Sequence, residues 1–195
     1  MGRILDIIGS VIGLVLMIPF TPLIALAVKL TSRGPLFVKL NRVSAGKKIE
    51  VYKFRSMYEG AHQMKGVLAV LNERSDGPFF KIKQDPRVTP VGRVLRRFRL
   101  DEFPQLINVL KGELALVGPR PHEPEEVIFY PHPYKHLLLA KAGVTGLSQV
   151  NGASALPFMK ELELDDHYVK NRNLLLDAKI LAKTAKIIFS DPTAV

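Results

Sequence analysis

The sequence predicts an α+β fold that is mainly helical and begins with a bent, membrane-dipping helix. Three patterns support this prediction. A long apolar run is interrupted by prolines, two alternating segments enclose a glycine-containing turn, and several later segments repeat apolar residues with helical spacing. The alternating segments predict a small antiparallel β element, and the remaining regular structure is expected to be helical.

Residues 4–30 are almost wholly apolar, but Pro19 and the pair Thr21-Pro22 break the run near its middle. The stretch before Pro19 would make a helix of ~22 Å, which is short of a hydrocarbon core of ~30 Å. Proline removes a backbone donor and clashes with the preceding turn, so we expect a sharp bend. Basic residues flank both ends, which suits a segment that enters and leaves on one side of the membrane. We therefore predict a re-entrant helix over residues 1–33, broken at Thr21 and Pro22; a signal anchor that crosses once is the alternative.

The composition restricts the partners of the protein. Among its 195 residues, 28 Lys and Arg outnumber 18 Asp and Glu, and the net charge is +10. This balance indicates an anionic partner: lipid head groups, nucleic acid or phosphorylated small molecules. The absence of cysteine excludes disulfides, thiolate metal sites and thiol nucleophiles, and it fits a reducing cytosolic face. Residues 34–195 are enough for one domain with a normal core.

Local patterns predict the elements of this domain. Alternation over residues 35–40 and 49–54 predicts a β-hairpin. Helical spacing predicts a short amphipathic helix over residues 64–71, followed by a polar loop. A short strand is expected at residues 114–117, and a turn-rich strand at residues 143–152.

Two helices are predicted at the end of the chain, over residues 157–169 and 173–189. In the second, Lys179, Lys183 and Lys186 share one face. The opposite face carries the aliphatic residues Leu174, Ala178, Leu181, Ala185 and Ile188. Such a helix can lie in a membrane interface, so we expect interfacial amphipathic helices. An ordinary surface helix packed on the core is the alternative.

Two further helices are predicted in the middle of the chain. Thr89 and Pro90 have the character of an N-cap and a first helical residue. A second helix is expected to follow at once, with Asp101 and Glu102 in its first turn and Gly112 as its stop. A helix N-terminus and nearby guanidinium groups favour ionised carboxylates. The alternative is that the acids only cap the helix and that the basic face is solvated.

The neighbourhood of the two acids indicates phosphate chemistry. Residues 81–100 are rich in arginine, which recognises phosphate better than lysine through its bidentate geometry. Adjacent residues on a helix do not face each other, so Asp101 and Glu102 can take different roles. An ionised aspartate can attack phosphorus to give an acyl phosphate, while its neighbour binds a metal or handles a proton. A Mg²⁺ ion held by these carboxylates and by substrate phosphates would offset charge in such a step.

Several blocks, in order over nearly the whole chain, carry a more specific signal. They are Tyr52-Lys53-Phe54-Arg55-Ser56-Met57, Asp85-Pro86-Arg87-Val88-Thr89-Pro90, Leu100-Asp101-Glu102-Phe103-Pro104, Leu116-Val117-Gly118-Pro119-Arg120-Pro121, Gly143-Val144-Thr145-Gly146 and Asp166-His167-Tyr168. Together they resemble the bacterial sugar transferase family, the monotopic polyprenyl-phosphate phosphoglycosyl transferases, in the small form that consists of the catalytic core.

The resemblance implies transfer of a phosphosugar from a UDP-sugar to undecaprenyl phosphate, with Mg²⁺, by a two-step ping-pong route. Asp101 matches the family's aspartate nucleophile, which takes up the phosphosugar and releases UMP. Glu102 matches its partner carboxylate, and both acids are predicted to hold the metal. The basic residues predicted to bind substrate phosphates are Lys53, Arg55, Arg87, Arg96 and Arg120.

The resemblance also implies a place in the cell. The protein is expected to be monotopic, at the cytoplasmic face of the bacterial inner membrane and in contact with phospholipid. Residues 1–33 would be the re-entrant anchor, in which Thr21-Pro22 matches a Ser-Pro break, and residues 34–195 the catalytic domain. The product would start a surface glycan. The sugar is not specified by the sequence, and a homodimer is left open.

Three positions depart from the family's pattern. Ala142 replaces a proline, Leu147 replaces an aromatic residue and Ala153 replaces an arginine. Because that arginine is missing, its contacts with nucleotide or sugar cannot be transferred to this chain. The carboxylate pair is intact.

A membrane-tethered nucleic-acid binder is the alternative from another class of protein. Such a protein needs aromatic platforms among its basic residues or a recognition helix. The chain has no Trp, and residues 85–102 contain one aromatic residue, Phe98, on an apolar helix face. We therefore expect no nucleic-acid partner. A third interpretation, an inactive scaffold for glycan assembly, is disfavoured by the intact carboxylate pair.

Overall fold

The computed structural model describes residues 2–190. Its helices are α1 (Arg3–Met17), α2 (Thr21–Thr31), α3 (Pro90–Arg97), α4 (Gln105–Lys111), α5 (Pro124–Val127), α6 (Leu147–Val150), α7 (Phe158–Asn171) and α8 (Leu174–Ser190). Its strands are β1 (Phe37–Ser44), β2 (Lys47–Phe54), β3 (Ala115–Val117) and β4 (Gly143–Thr145). The prediction of a mainly helical α+β fold with a small antiparallel sheet is confirmed.

The N-terminal apolar helix is interrupted where the prolines predict a break. A 3₁₀ turn, Ile18–Phe20, separates α1 from α2, and proline stands in the first turn of α2. The hydroxyl of Thr21 donates to the carbonyl oxygen of Met17 at 3.0 Å, because the backbone N–H of Thr21, which would bond to Met17 in an α-helix, bonds to Ile18 instead. The helical stretch Arg3–Thr31 has 29 residues and is long and apolar enough, by length and composition, to cross a membrane.

The first half of this stretch docks on the rest of the chain through polar and small residues. The buried carboxylate of Asp6 accepts the backbone N–H of Leu116 at 3.0 Å. A Cβ on Gly9 would lie 2.5 Å from the side chain of Leu116, and one on Gly13 would lie 2.6 Å from that of Leu106. Glycine therefore allows α1 to lie closely against β3 and α4.

The second half docks through apolar side chains. Ile24 and Val28 are buried in a cluster with Met17, Phe54 and Leu95, which joins α2 to β2 and α3. Both halves of the N-terminal helix thus contact the domain that follows. Their opposite faces are exposed and apolar, with Ile4, Ile8, Ile12, Leu16, Phe20, Leu23, Leu26 and Leu30 among the exposed side chains.

Strands β1 and β2 form the predicted antiparallel hairpin. Its two-residue turn consists of Ala45 and Gly46, with φ values of 50° and 72°. Positive φ at both positions is the requirement of a tight type I′ hairpin turn. The far end of β2 carries Lys53, which is opposite Val38 in the register. The hairpin therefore delivers this lysine to the region where α3 ends.

A short parallel pair, β3 and β4, was not predicted as a sheet. Ala115 of β3 lies opposite Gly143 of β4. A Cβ on Gly143 would lie 2.1 Å from the backbone nitrogen of Gly118, so the close approach requires glycine there. The prediction of one strand over residues 143–152 is wrong beyond β4, because α6 follows at once. The main core forms around this pair and includes Val51, Val109, Leu114, Val117, Tyr168 and Ile180.

The prediction of an amphipathic α-helix over residues 64–71 is wrong. The segment forms two 3₁₀ turns, Gln63–Lys65 and Val67–Leu71. A 3₁₀ turn repeats every three residues, so the spacing that gathers apolar residues on one α-helical face does not do so here. Val70 in this segment is 87% exposed. The polar loop predicted after it is confirmed.

The two C-terminal helices are confirmed as α7 and α8, but the face of α8 that packs inward coincides only partly with the predicted aliphatic face. Asp177 and Ile180 are buried and Leu181 packs against the main core, whereas Leu174 and Ala178 are exposed. A buried hydrogen bond, in which the hydroxyl of Tyr168 donates to Asp177 at 2.7 Å, holds this orientation. An aliphatic surface therefore remains on the outside of α8.

Candidate active site

The two adjacent acids lie in a tight turn between α3 and α4, not in the first turn of a helix. A 3₁₀ turn, Leu100–Glu102, carries both of them, and α4 starts only at Gln105. Pro104 has no N–H to donate to the turn before it, so α-helical bonding does not extend back through it. The prediction that a helix N-terminus favours the ionised form of Asp101 is therefore wrong.

A strained residue precedes this turn. Arg99 has a left-handed backbone, with φ of 53°, a conformation that costs a non-glycine residue about 1 kcal/mol or more. It redirects the chain after α3, and the turn that follows packs against β2. Strain of this kind often occurs at functional sites.

Lys53 of β2 contacts both acids. Its Nζ atom lies 2.5 Å from Oε1 of Glu102 and 3.9 Å from Oδ2 of Asp101. Glu102 keeps 29% of its side chain exposed, whereas Asp101 keeps 8%. The structure thus brings together the predicted nucleophile, its partner carboxylate and one of the predicted phosphate ligands, with Asp101 the more enclosed acid.

The two carboxyl groups have pKa shifts in opposite directions. Burial raises the pKa of Asp101, and the charge of Glu102 adds to this, while Lys53 and Arg96 oppose it. Burial also acts to raise the pKa of Glu102, but the charge and hydrogen bond of Lys53 outweigh it and hold that pKa at about 2. Glu102 is therefore ionised at neutral pH, and its pKa is shifted in the opposite direction from that of Asp101.

A cavity of about 190 Å³ with a charged wall opens beside Glu102. Lys53 and Arg120 form part of its wall, and the side chain of Arg120 is 35% exposed. Other wall residues are the basic residues Arg42, Arg74 and Lys81, the aromatic residues Phe79 and Phe80, and the acids Glu123, Glu126 and Glu161. Arg96 lies behind the wall, where its Nε donates to the hydroxyl of Ser56 at 2.9 Å and its charge acts on Asp101. The cavity can therefore receive a phosphorylated ligand next to the carboxylate pair.

The structure does not bring the other two predicted phosphate ligands to the cavity. Arg55 is buried and donates to the carbonyl oxygens of Ser32, at 2.7 Å, and Arg33 at the end of α2. Arg87 is also buried, and its guanidinium binds both oxygens of Asp85, with the shortest contact at 2.6 Å. Both guanidinium groups serve the fold in this structure.

Sequence reasoning missed a group of buried polar residues behind Arg120. His122 and Glu161 lie on the cavity wall. Tyr130 contacts His122, and Asp165 accepts the backbone N–H of Arg120 at 3.0 Å. A signal was available, because Glu161 and Asp165 fall at i, i+4 on the apolar stripe of α7, where ionisable residues are unusual.

The donor set for a metal is small. Over residues 2–190, the structure contains no group of three or more His, Asp or Glu side chains placed to hold a metal ion. Asp101 and Glu102 remain as adjacent carboxylates, and Glu102 of the two lines the cavity. Mg²⁺ is usually held by one or two carboxylates plus substrate phosphates, so this pair fits such an ion.

The segment 142–153, which departs from the family's pattern at three positions, contributes Gln149 to the cavity wall. Ala142 and Ala153 are buried, and Ala153 has a left-handed backbone with φ of 45°. Leu147 packs against the main core. The substituted positions are thus accommodated in the fold.

Comparisons with known proteins agree with the geometry. The sequence model described as bacterial sugar transferase matches residues 1–191. An undecaprenyl-phosphate galactose phosphotransferase of Salmonella typhimurium is 40% identical over 191 residues, which are 95% of this chain and 40% of that protein. The exopolysaccharide production protein ExoY of Sinorhizobium fredii is 33% identical over 93% of this chain and 82% of its own length.

A third relative carries a different sugar in its name. The UDP-N-acetylgalactosamine-undecaprenyl-phosphate N-acetylgalactosaminephosphotransferase of Aeromonas hydrophila is 36% identical over 96% of this chain and 43% of its own length. The chain therefore spans about two fifths of the length of several relatives that it matches.

Proposed function

Because this chain belongs to the bacterial sugar transferase family, we propose that it transfers a phosphosugar from a UDP-sugar to undecaprenyl phosphate. The products are a polyprenyl diphosphosugar and UMP, and the reaction is a first membrane step in the assembly of a surface glycan. One observation carries the proposal: Lys53 pairs with both Asp101 and Glu102, and it lines, with Glu102 and Arg120, one cavity. The relatives' names support the donor and acceptor classes, and because those names differ in the sugar, the proposal concerns the class of donor.

The first step is a displacement at the phosphorus that bears the sugar. A carboxylate oxygen of Asp101 attacks it, the bond to the bridging oxygen breaks, and UMP leaves with the electron pair. A phosphosugar then remains on Asp101. In the second step a phosphate oxygen of the lipid attacks the same phosphorus, and the carboxylate of Asp101 leaves.

The surrounding basic residues have separate roles in this scheme. Lys53 contacts both carboxylates in this structure. When the donor binds, Lys53 exchanges its contact with Asp101 for one with the donor's phosphates, and Asp101 is then free to attack. Arg120 is exposed in the cavity and binds a phosphate of the donor. Arg96, held by Ser56, favours the ionised form of Asp101 from behind.

Asp101 and Glu102 are the residues that would hold Mg²⁺. The ionised carboxylate of Glu102 already attracts a cationic group, the Lys53 ammonium, at 2.5 Å, which supports a cation at this position. When bound, the ion supplies neutralisation of phosphate charge.

We also propose that the N-terminal helix enters the membrane without crossing it, at the cytoplasmic face of the inner membrane. α1 packs on α4 and β3, and α2 packs on α3, so helical residues from Arg3 to Val28 contact the same domain. A helix that crossed the bilayer would carry most of its length away from that domain. The exposed apolar faces of α1, α2 and α8 would then meet lipid, as expected for interfacial helices.

The reaction is tested with the purified chain in detergent. Incubation with a panel of UDP-sugars and Mg²⁺, without acceptor, is expected to release UMP in an amount limited by the enzyme concentration. Mass spectrometry is then expected to find a phosphosugar on Asp101. Asp101→Asn should lower turnover by more than ~10³-fold. Normal turnover by this variant, with no adduct on the wild-type chain, would exclude the mechanism, and UDP binding without any release would favour the scaffold.

The topology is tested in the same chain, which has no cysteine of its own. Gly2→Cys and Ser32→Cys variants are labelled in intact and permeabilised inner-membrane vesicles. Labelling of both positions from the cytoplasmic side is expected. Labelling from opposite sides would show a crossing helix instead.

A further inference from the structure

Helix α7 carries two buried acids that the proposed chemistry does not use. Glu161 and Asp165 lie one helical turn apart, and each is 1% exposed. A buried carboxylate is costly to keep charged unless it is paired and hydrogen-bonded. The partners of these two acids therefore indicate what they do.

Both acids contact Arg120. Asp165 Oδ2 accepts the backbone N–H of Arg120 at 3.0 Å. Glu161 Oε1 lies 3.8 Å from Nε of the same arginine. The helix thus fixes Arg120 at two points, one on its backbone and one on its guanidinium group.

Glu161 is itself held in place by two further buried residues. Its Oε1 atom lies 2.7 Å from Nε2 of His122, whose other ring nitrogen contacts the hydroxyl of Tyr130. An ionised carboxylate only accepts hydrogen bonds, so Nε2–H of His122 donates to Glu161, and Nδ1 of the same ring is hydrogen-bonded with the Tyr130 hydroxyl. Burial raises the pKa of Tyr130, which keeps the phenol protonated. Each donor in this series meets an acceptor.

These contacts connect Tyr130, through His122 and Glu161, with Arg120 on the cavity wall. Four carboxylates act on the guanidinium of Arg120: Glu161 most strongly, then Glu102, Glu126 and Asp165. Attraction to Glu102 alone would draw Arg120 towards the acid proposed to bind Mg²⁺. Glu161, which is buried on α7, opposes that movement, and the guanidinium stays exposed on the cavity wall.

We propose that Glu161, held by His122 and Tyr130, is a positioning residue that fixes the guanidinium of Arg120 in the cavity for a phosphate of the UDP-sugar donor. This inference rests on the proposed function. Glu161 touches no substrate in this role, and its whole effect on the reaction passes through Arg120.

A double-mutant cycle tests this dependence. Glu161→Gln keeps the shape and an oxygen that can accept from His122, but it removes the charge that holds Arg120. Misplacing a substrate-binding group by about 1 Å can cost ~10²-fold, so we expect kcat/KM for UMP release to fall by about 10- to 100-fold. In an Arg120→Met background the same change is expected to have less than about a 2-fold effect. Glu163→Gln, an exposed position on the same helix that pairs with Lys160, is the matched control and is expected to match wild type.

A second measurement does not depend on turnover. Two-bond ¹H–¹⁵N correlation spectra of His122 are expected to show the Nε2–H tautomer in wild type and in Glu161→Gln, and Tyr130→Phe is expected to shift the Nδ1 resonance. Retention of the tautomer in Glu161→Gln shows that the fold around His122 is intact.

The outcomes separate this inference from the proposed function. A wild-type chain that releases no UMP overturns the proposed function, and the cycle is then measured on UDP affinity by calorimetry. Equal losses from Glu161→Gln in both backgrounds, or wild-type behaviour of that variant, would overturn the positioning role. An Nδ1–H tautomer in the wild type would overturn the arrangement that holds Glu161.

Discussion

Two regions of this protein use arginines and carboxylates in opposite ways. The α3 flank consists of Arg55, Asp85 and Arg87, and the cavity edge consists of Lys53, Asp101, Glu102 and Arg120. In the α3 flank, burial acts to raise the pKa of Asp85, but the hydrogen bonds of Arg87 outweigh it and lower that pKa. At the cavity edge the two acids differ: burial prevails for Asp101 and raises its pKa, whereas Lys53 prevails for Glu102 and lowers its pKa.

The difference lies in how completely each charge is partnered. Arg87 places its guanidinium on both oxygens of one carboxylate and also donates to the carbonyl of Ala61. Arg120 approaches Glu161 only at 3.8 Å and keeps about a third of its side chain exposed. A saturated pair has nothing left to offer a ligand, whereas a charge held in place but under-partnered can bind one. The four arginines that the sequence suggests as phosphate ligands therefore separate into two roles.

The largest expected effect is on stability, in the α3 flank. Arg87→Met leaves Asp85 buried without its partner, and such a loss typically costs about 3–5 kcal/mol in the free energy of unfolding. Denaturant titration in detergent measures it. Arg93→Met, at an exposed position of α3, is the control and should be neutral. The double variant Asp85→Asn/Arg87→Met should recover part of the loss. A stable Arg87→Met variant with impaired donor binding would return Arg87 to the list of phosphate ligands.

The next effect is on activity, at the cavity edge. Arg120→Met is expected to lower kcat for UMP release by about 10²- to 10³-fold, the usual cost of removing one donor that stabilises developing charge. Its stability should fall by less than that of Arg87→Met, because Glu161 keeps its hydrogen bond to His122. Measurements of kcat and of the unfolding midpoint for Arg120→Met and Arg87→Met test this expectation. An equal loss of stability in the two variants would remove the distinction between the regions.

The sequence could indicate the two acids of the site because they are neighbours in the chain. Their turn was misjudged, although Pro104 was a usable signal against α-helical bonding through that point. For Arg87, the spacing Asp85-Pro86-Arg87 is compatible with a local ion pair, since a single residue separates the two charged ones. No local pattern marks Arg55, because its partners, the carbonyls at the end of α2, lie more than twenty residues earlier in the chain.

The acids of α7 also have a partner that the sequence does not predict. Glu161 and Asp165 share the stripe of Phe158 and Leu162, so the sequence contains the sign of buried acids. Their target, Arg120, could not be read from the pattern, because the contact depends on how α7 packs beside the segment after β3. The hairpin and the helix of Thr89 were predictable because turn and cap residues act on their immediate neighbours.

A third prediction concerns pH and extends the comparison to Asp165. Burial raises the pKa of Asp165 to about 6, above the ordinary value of 3.8. A carboxyl group whose pKa is higher in the folded state stabilises the fold at pH values below its pKa in the unfolded state. This contribution is lost as the pH rises through its pKa in the folded state. Relative to Asp165→Asn, the wild type should therefore lose about 3 kcal/mol of unfolding free energy between pH 4 and pH 7.

Asp76 is the matched control with the opposite sign. The hydrogen bond from Arg74 lowers the pKa of Asp76 to about 2. The stability that it contributes is present above pH 3.8 and is lost as pH falls towards 2. Denaturant titrations across this range should give slopes of opposite sign for Asp165→Asn and Asp76→Asn, each relative to wild type. Parallel curves for Asp165→Asn and wild type would show that Asp165 is not held above its ordinary pKa.

The smallest expected effect separates a structural from a substrate-binding role for Arg55. Its guanidinium donates to two successive carbonyls at the end of α2, which lysine, with a single nitrogen, cannot contact in the same geometry. Arg55→Lys should lose about 1–2 kcal/mol of stability, and its melting midpoint should fall by about 2–8 °C. Because the charge is kept and lies away from the cavity, KM for the donor should stay within about 2-fold of wild type. An increase of more than about 10-fold in KM for the donor, with an unchanged melting midpoint, would instead indicate that Arg55 contacts the donor.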